Sequence, residues 1–311
     1  MSWLSVAVIA YLMLAIVNLS DKFLVDNVLK NSKAYAFVAC LLGLLVFLVS
    51  PWFLYWPGWP LFILNLINGF IFAVALWLLY ESLRRGEASR VLVFIGGITP
   101  IFSLFFSILL FRERFSANQW AGLIFTLIGI FIIALLPVSR SYLHRAARKF
   151  NIVSTPGNNW LLIALSSALA YSLYFMSTKY AYSSQPFASA FIWTRLGAAI
   201  FVLAFLLKNN DRRAIMDIFK GSGRKKSNFL IIFNQAIGSL GFVLQNYAIF
   251  LGSVVLVNAL QGVQYAFLLI IGAILALVAP KVLKEKFSWR ILLQKTIAVL
   301  VIGIGLYFIA S

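Results

Sequence analysis

The chain has 311 residues, of which 63% are hydrophobic, 16% aromatic and 11% charged, with a mean hydropathy of +0.97. That profile excludes a soluble globular domain, and ten crossings of a hydrocarbon layer at roughly 20 residues each use about 200 residues and leave no room for a sizeable soluble one. The net charge of +18 is read as a product of membrane orientation rather than a nucleic-acid surface, and the single Cys40 excludes an intrachain disulfide and a thiolate metal site.

Taken in chain order, apolar runs bounded by charge, Pro or Gly predict ten helices at 2–19, 34–51, 60–81, 89–111, 118–136, 159–179, 186–207, 228–251, 253–279 and 289–310. The first lacks a basic leading region, and Asn18-Leu19-Ser20-Asp21-Lys22 is no small-residue cleavage site, so it reads as a retained helix. The runs are continuous rather than alternating, which selects helices over a membrane barrel. Between them, the odd-numbered connections carry 22 of the 26 Lys and Arg residues, counting Lys295, and the even-numbered ones carry 3. Cationic loops stay cytoplasmic, so this count puts both termini outside. The uncharged second connection, Pro51 to Trp59, has the Trp and Pro content of an outer interfacial belt.

The halves overlay on one another. A shift of 157 residues brings Trp3 onto Trp160, Ser20 onto Ser177 and Lys22 onto Lys179; a shift of 172 brings Glu113-Arg114-Phe115-Ser116 onto Glu285-Lys286-Phe287-Ser288. Five helices per half is an odd number, so the halves have opposite orientation. The expected architecture is an all-α integral membrane protein of ten transmembrane helices in two inverted five-helix repeats, 1–136 and 159–311, joined by a basic loop at 137–158. Inverted repeats of this kind place a substrate site between the halves near the midplane.

Several strings resemble the EamA-type carriers of the drug/metabolite transporter superfamily. They are Leu110-Phe111-Arg112-Glu113-Arg114-Phe115-Ser116 with Gln119-Trp120-Ala121-Gly122, its partner from Leu283, Tyr80-Glu81-Ser82-Leu83 with Gly86-Glu87-Ala88-Ser89-Arg90 and Thr99-Pro100, and Thr194-Arg195-Leu196. The resemblance implies a membrane transporter over nearly the whole chain. It also implies cytoplasmic termini, against which the expectation here follows the charges. Where the first repeat has Trp120-Ala121-Gly122, the second has Gln294-Lys295-Thr296.

Candidate site residues follow from polarity in apolar surroundings. Arg195 lies nine residues past Pro186, about 13 Å into the layer, where a charge costs at least roughly 2.5 to 3.5 kcal/mol. Either it pairs structurally with carbonyls or a carboxylate, or its planar fork takes an anionic substrate group. Tyr171, Tyr174, Gln245, Asn258, Gln261 and Tyr265 are expected on the wall of the same cavity, against the plainer reading of helix-to-helix hydrogen bonding. Lys22 and Lys179 read as snorkelling cations or as gating and steering groups at opposite ends; Pro100, beside Gly96, Gly97 and Ser103, as a kink that permits rocking. The only histidine, His144, stands in a basic loop, so no metal site, catalytic triad or cofactor is expected, and the chain is not read as an enzyme. No acid occurs between Ser2 and Leu19, which argues against the proton-for-cation exchange of the small multidrug exporters.

The sequence therefore points to a secondary transporter moving a small polar metabolite by alternating access, with an amino acid or related zwitterion as first substrate; export is what the resemblance implies. A sugar or nucleotide-sugar carrier, a lipid-linked sugar flippase, and a non-transporting receptor or assembly protein on the same fold stay open. The expected partners are the small-molecule substrate and the bilayer, with a homodimer left open, and the expected location is a bacterial inner membrane.

Overall fold

A computed structural model describes residues 2–27, 31–85, 88–134, 160–220, 225–278 and 289–310. The 137–158 loop with His144, the partner string from Leu283 to Ser288 and the side chain of Lys22 lie outside the described residues. Every regular element described is helical. The order is α1 (Trp3–Asn27), α2 (Ser32–Leu42), α3 (Trp59–Arg85), α4 (Ala88–Phe106), α5 (Ala117–Ala134), α6 (Trp160–Ser184), α7 (Phe187–Leu203), α8 (Asn209–Lys220), α9 (Lys225–Leu251), α10 (Val254–Ala259), α11 (Gln261–Val278) and α12 (Trp289–Ala310). Among the described residues five segments are long and apolar enough to cross a membrane: Ser32–Phe53, Trp59–Arg85, Phe94–Phe111, Trp160–Ser184 and Phe187–Leu207. Shorter apolar helices run over Trp3–Asn18, Ala117–Ile132, Val254–Leu268 and Thr296–Ile309.

Two features depart from the sequence reading. The apolar run 253–279 is two helices, α10 and α11, meeting at Leu260, and the charged seventh connection contains the amphipathic α8. In α8, Ile215 turns inward at 2% exposure while Arg212 and Arg213 face outward, and Asp211 pairs with Lys33 of α2 at 2.6 Å.

Local chemistry sets the helix ends. Asn31 Oδ1 accepts from the amides of Lys33 and Ala34 at 2.9 and 3.2 Å, capping α2. Ser116 and Gln119 form a reciprocal box at the start of α5: the Ser116 amide donates to Gln119 Oε1 and the Gln119 amide to Ser116 Oγ. At the other end of α3, Glu81 takes Ser32, Arg84 and Arg85 together.

Packing is dominated by a few pairs: α5 on α12, α3 on α6, α1 on α9 and α3 on α7. The α3–α7 crossing is close, because two glycines remove the spacers. A β-carbon on Gly69 would lie 2.1 Å from the Thr194 carbonyl oxygen, and one on Gly197 would lie 2.3 Å from that of Leu66. The α3–α6 seam is polar and largely buried: Asn65 and Gln185, just past the end of α6, exchange amide hydrogen bonds at 3.2 and 3.1 Å, Ser177 donates to Asn68, and Ser167 donates to the Ala75 carbonyl at 2.9 Å. Such groups must be satisfied internally in lipid, so each bond also fixes register. On the α5–α12 seam Gln294 donates to the Ile132 carbonyl at 2.5 Å, which gives the second repeat's departure from Trp-Ala-Gly a packing role.

Candidate functional site

The tight α3–α7 crossing sets the surroundings of Arg195. One turn before it on α7 is Phe191, and one turn after Gly69 on α3 is Phe72. The guanidinium carbon lies 4.2 Å from the centroid of Phe72, 4.4 Å from Phe191 and 4.7 Å from Phe242 of α9. Gly43, beyond α2, leaves room for its stem: a β-carbon there would stand 3.3 Å from Arg195 Cδ. Arg195 is 6% exposed.

Its polar partners form a chain. Arg195 Nη2 donates to Tyr174 Oη at 3.3 Å, and the hydroxyls of Tyr174 and Tyr182 both donate to Asn246 Oδ1 at 3.0 Å. Asn246 Nδ2 in turn donates to the Phe242 carbonyl at 2.9 Å. Tyr174 therefore accepts from a cation and donates to an amide, an arrangement in which each bond polarises the next. Three aromatic faces, each worth about 0.5 to 2 kcal/mol when desolvated, offset much of the cost of holding the charge. They neutralise none of it. Among the described residues no carboxylate pairs with Arg195, and its buried Nε has no hydrogen-bond partner.

The other expected site residues fall into neighbouring clusters. Tyr171 of α6 is partly buried and edges onto Phe72 at 6.4 Å, beside the cage. Gln245 donates to Tyr11 Oη at 3.3 Å, and that hydroxyl donates to the Val257 carbonyl at 2.7 Å, linking α1, α9 and α10. Asn258 donates to Ser103 Oγ at 3.0 Å, Ser103 meets Ser172 at 3.2 Å, and Asn258 Oδ1 is buried without a partner among the described residues. Tyr265 donates to the Leu92 carbonyl, and with Gln261 it packs against Gly96. Pro100 is buried within α4, which runs through it. Lys179 donates to the carbonyls of Ile249, Phe250 and Gly252 at 2.8, 3.0 and 2.7 Å, closing the carboxyl end of α9.

Sequence reasoning did not single out Phe72, Phe191, Phe242 or Tyr182. The usable signal was spacing: Phe191 and Arg195, and Phe242 and Asn246, are both i, i+4 pairs on one helix face.

A search of curated proteins returned no match to this sequence. Among solved structures, one crystal structure aligns with a TM-score of 0.65 and 15% identity, covering 98% of this chain and 94% of that one, which speaks for the fold alone. The family comparison carries more, and it falls on the half that holds α1 to α5. Residues 1–135 match the model of the EamA-like transporter family, so the resemblance to the EamA-type carriers is shown over that stretch, and with its apolar helices the chain is a multi-pass integral membrane protein.

Proposed function

We propose that the chain is a secondary carrier that exports a small zwitterionic metabolite, an amino acid or close relative, by alternating access. The observation that carries this reading is the buried, caged and uncompensated charge of Arg195. A guanidinium held, among the described residues, by aromatic faces and one phenol is ready for a carboxylate, which it binds through paired N–H groups. Asn258 Oδ1 offers the opposite requirement, a buried acceptor lacking a donor, as an ammonium group would supply. Both residues are tied to α6, Arg195 through Tyr174 and Asn258 through Ser103 and Ser172.

The packing supports ten crossings in two inverted halves. α3 packs on α6 as α9 packs on α1, α4 packs on α6 as α11 packs on α1, and α5 meets α12. Exchanging the halves maps this set onto itself, with α10 and α11 together serving as the ninth crossing. The two halves then rock around the polar groups between them. In this reading the cationic connections, α8 among them, face the cytoplasm of a bacterial inner membrane and both termini lie outside.

The test is thermal stability of the protein in lipid nanodiscs against amino acids, sugars, nucleotides and organic cations. A ligand at about 100 times its Kd stabilises the folded state by roughly 2.7 kcal/mol. Stabilisation by amino acids, lost in Arg195→Ala, is expected; stabilisation by organic cations that survives the substitution would overturn the reading.

A further inference from the structure

A cavity of about 390 Å3 lies apart from the Arg195 cage. It is walled by Trp3 of α1, by Glu113, Arg114 and Gln119 around the α4–α5 turn, and by Ser253 and Leu256 at the start of α10. Its volume falls in the range of about 300 to 1,000 Å3 usual for small-molecule sites. Its polar groups are of two signs and incompletely used. The Glu113 carboxylate accepts from the Ser107 hydroxyl, but among the described residues no lysine or arginine pairs with it. The nearby cation, Lys179, is committed to three backbone carbonyls. Ser253 Oγ is buried without a hydrogen-bond partner among the described residues. Trp3 packs on Gly252, where a β-carbon would come within 2.9 Å of its ring, and so presents an indole beside these groups.

We infer that this cavity is a peripheral site for an α-amino acid with an apolar side chain, with its ammonium on Glu113, its carboxylate on Arg114 and its side chain against Trp3 and Leu256. The inference takes its substrate class from the proposed function but makes no use of Arg195. A carboxylate and a guanidinium on adjacent residues match the two ends of a zwitterion, and Ser253 supplies a further hydrogen bond. Solute held there stands at the end of the molecule where Lys179 closes α9, ahead of or behind the central cage on the transport path.

The test uses Leu251→Cys, since Leu251 lines the cavity and is 41% exposed, while the native Cys40 is buried. The protein is placed in phosphatidylcholine nanodiscs, whose quaternary headgroup donates no hydrogen bond, and its labelling by a polar thiol reagent is timed with and without L-leucine. At about ten times its Kd, L-leucine should slow labelling about tenfold. The same protection should appear with Arg195→Ala added and vanish with Glu113→Gln or, should that variant not fold, Arg114→Gln. Absence of protection in Leu251→Cys, or equal protection in the Glu113 and Arg114 variants, overturns the site. Protection that disappears with Arg195→Ala assigns the effect to the central cage, overturning the peripheral site and favouring the proposed function. Protection that persists in a chain found not to transport would retain the site and remove the carrier reading.

Discussion

The guanidinium of Arg195 lies 4.2 Å over the ring of Phe72, and it does so because α3 and α7 touch backbone to backbone at Gly69 and Gly197. The charge and the ring that holds it arrive on different helices, and the glycines bring them together. A methyl group at either glycine would meet a carbonyl oxygen at 2.1 to 2.3 Å, which no rotamer relieves. Gly69→Ala or Gly197→Ala should destabilise the protein by about 1 to 3 kcal/mol and weaken ligand binding together. Gly303→Ala, where nothing stands within 4 Å, is the matched control and should stay within about 0.5 kcal/mol of wild type. Thermal unfolding in one detergent compares the three.

Lys179 serves the structure through three carbonyls at the end of α9. Hydrogen bonds from a charged donor are each worth about 1.5 to 3 kcal/mol and are not additive, so Lys179→Met should lower stability by roughly 2 to 4 kcal/mol. Ligand Kd should shift by less than about threefold, a change under 1 kcal/mol. A large change in Kd with unaltered stability would instead make Lys179 a steering residue.

The pair between Lys33 and Asp211 ties α8 to α2 and is partly exposed, so it contributes about 0.2 to 1 kcal/mol. Asp211→Asn should therefore raise trypsin cleavage at Arg212 and Arg213 about two- to fivefold, through more frequent opening of α8. The same assay reads orientation. Cleavage in inside-out vesicles and none in right-side-out vesicles is expected if the cationic connections face the cytoplasm; the reverse pattern would refute the charge-based topology.

Much of the frame was legible because lipid leaves few choices: long apolar runs must be helices, and Arg195 in the middle of one demands a reason. The rest was hidden for identifiable causes. Phe72, Phe191 and Phe242 are three of 29 phenylalanines, and nothing local distinguishes a ring under a cation from a ring against lipid. The break at Leu260 falls inside a run read as one helix, with no Pro to mark it. The α8 helix lay in a connection read for charge alone, although Ile215, Ile218 and Phe219 already had the spacing of one apolar face. The sequence reading ends the sixth helix at Lys179, whereas α6 runs on to Ser184, and which carbonyls Lys179 meets depends on how α6 and α9 pack.

Charge alone does not account for Arg195. Arg195→Lys keeps the charge but loses the planar fork and its stacking on three rings, so binding should weaken at least about tenfold while the protein still folds. Phe72→Leu, which keeps an apolar side chain but removes one cation–π face, should cost binding less, about two- to tenfold. Calorimetric titration of the stabilising solute gives both values.

The most direct test of the central claim is exchange of a radiolabelled amino acid, chosen from the stability panel, in proteoliposomes of wild type and of Arg195→Ala. The account predicts saturable exchange in wild type and its loss in a variant that remains folded. Exchange by Arg195→Ala at the wild-type rate, or the absence of any exchange by wild type with a solute that stabilises it, would contradict the account.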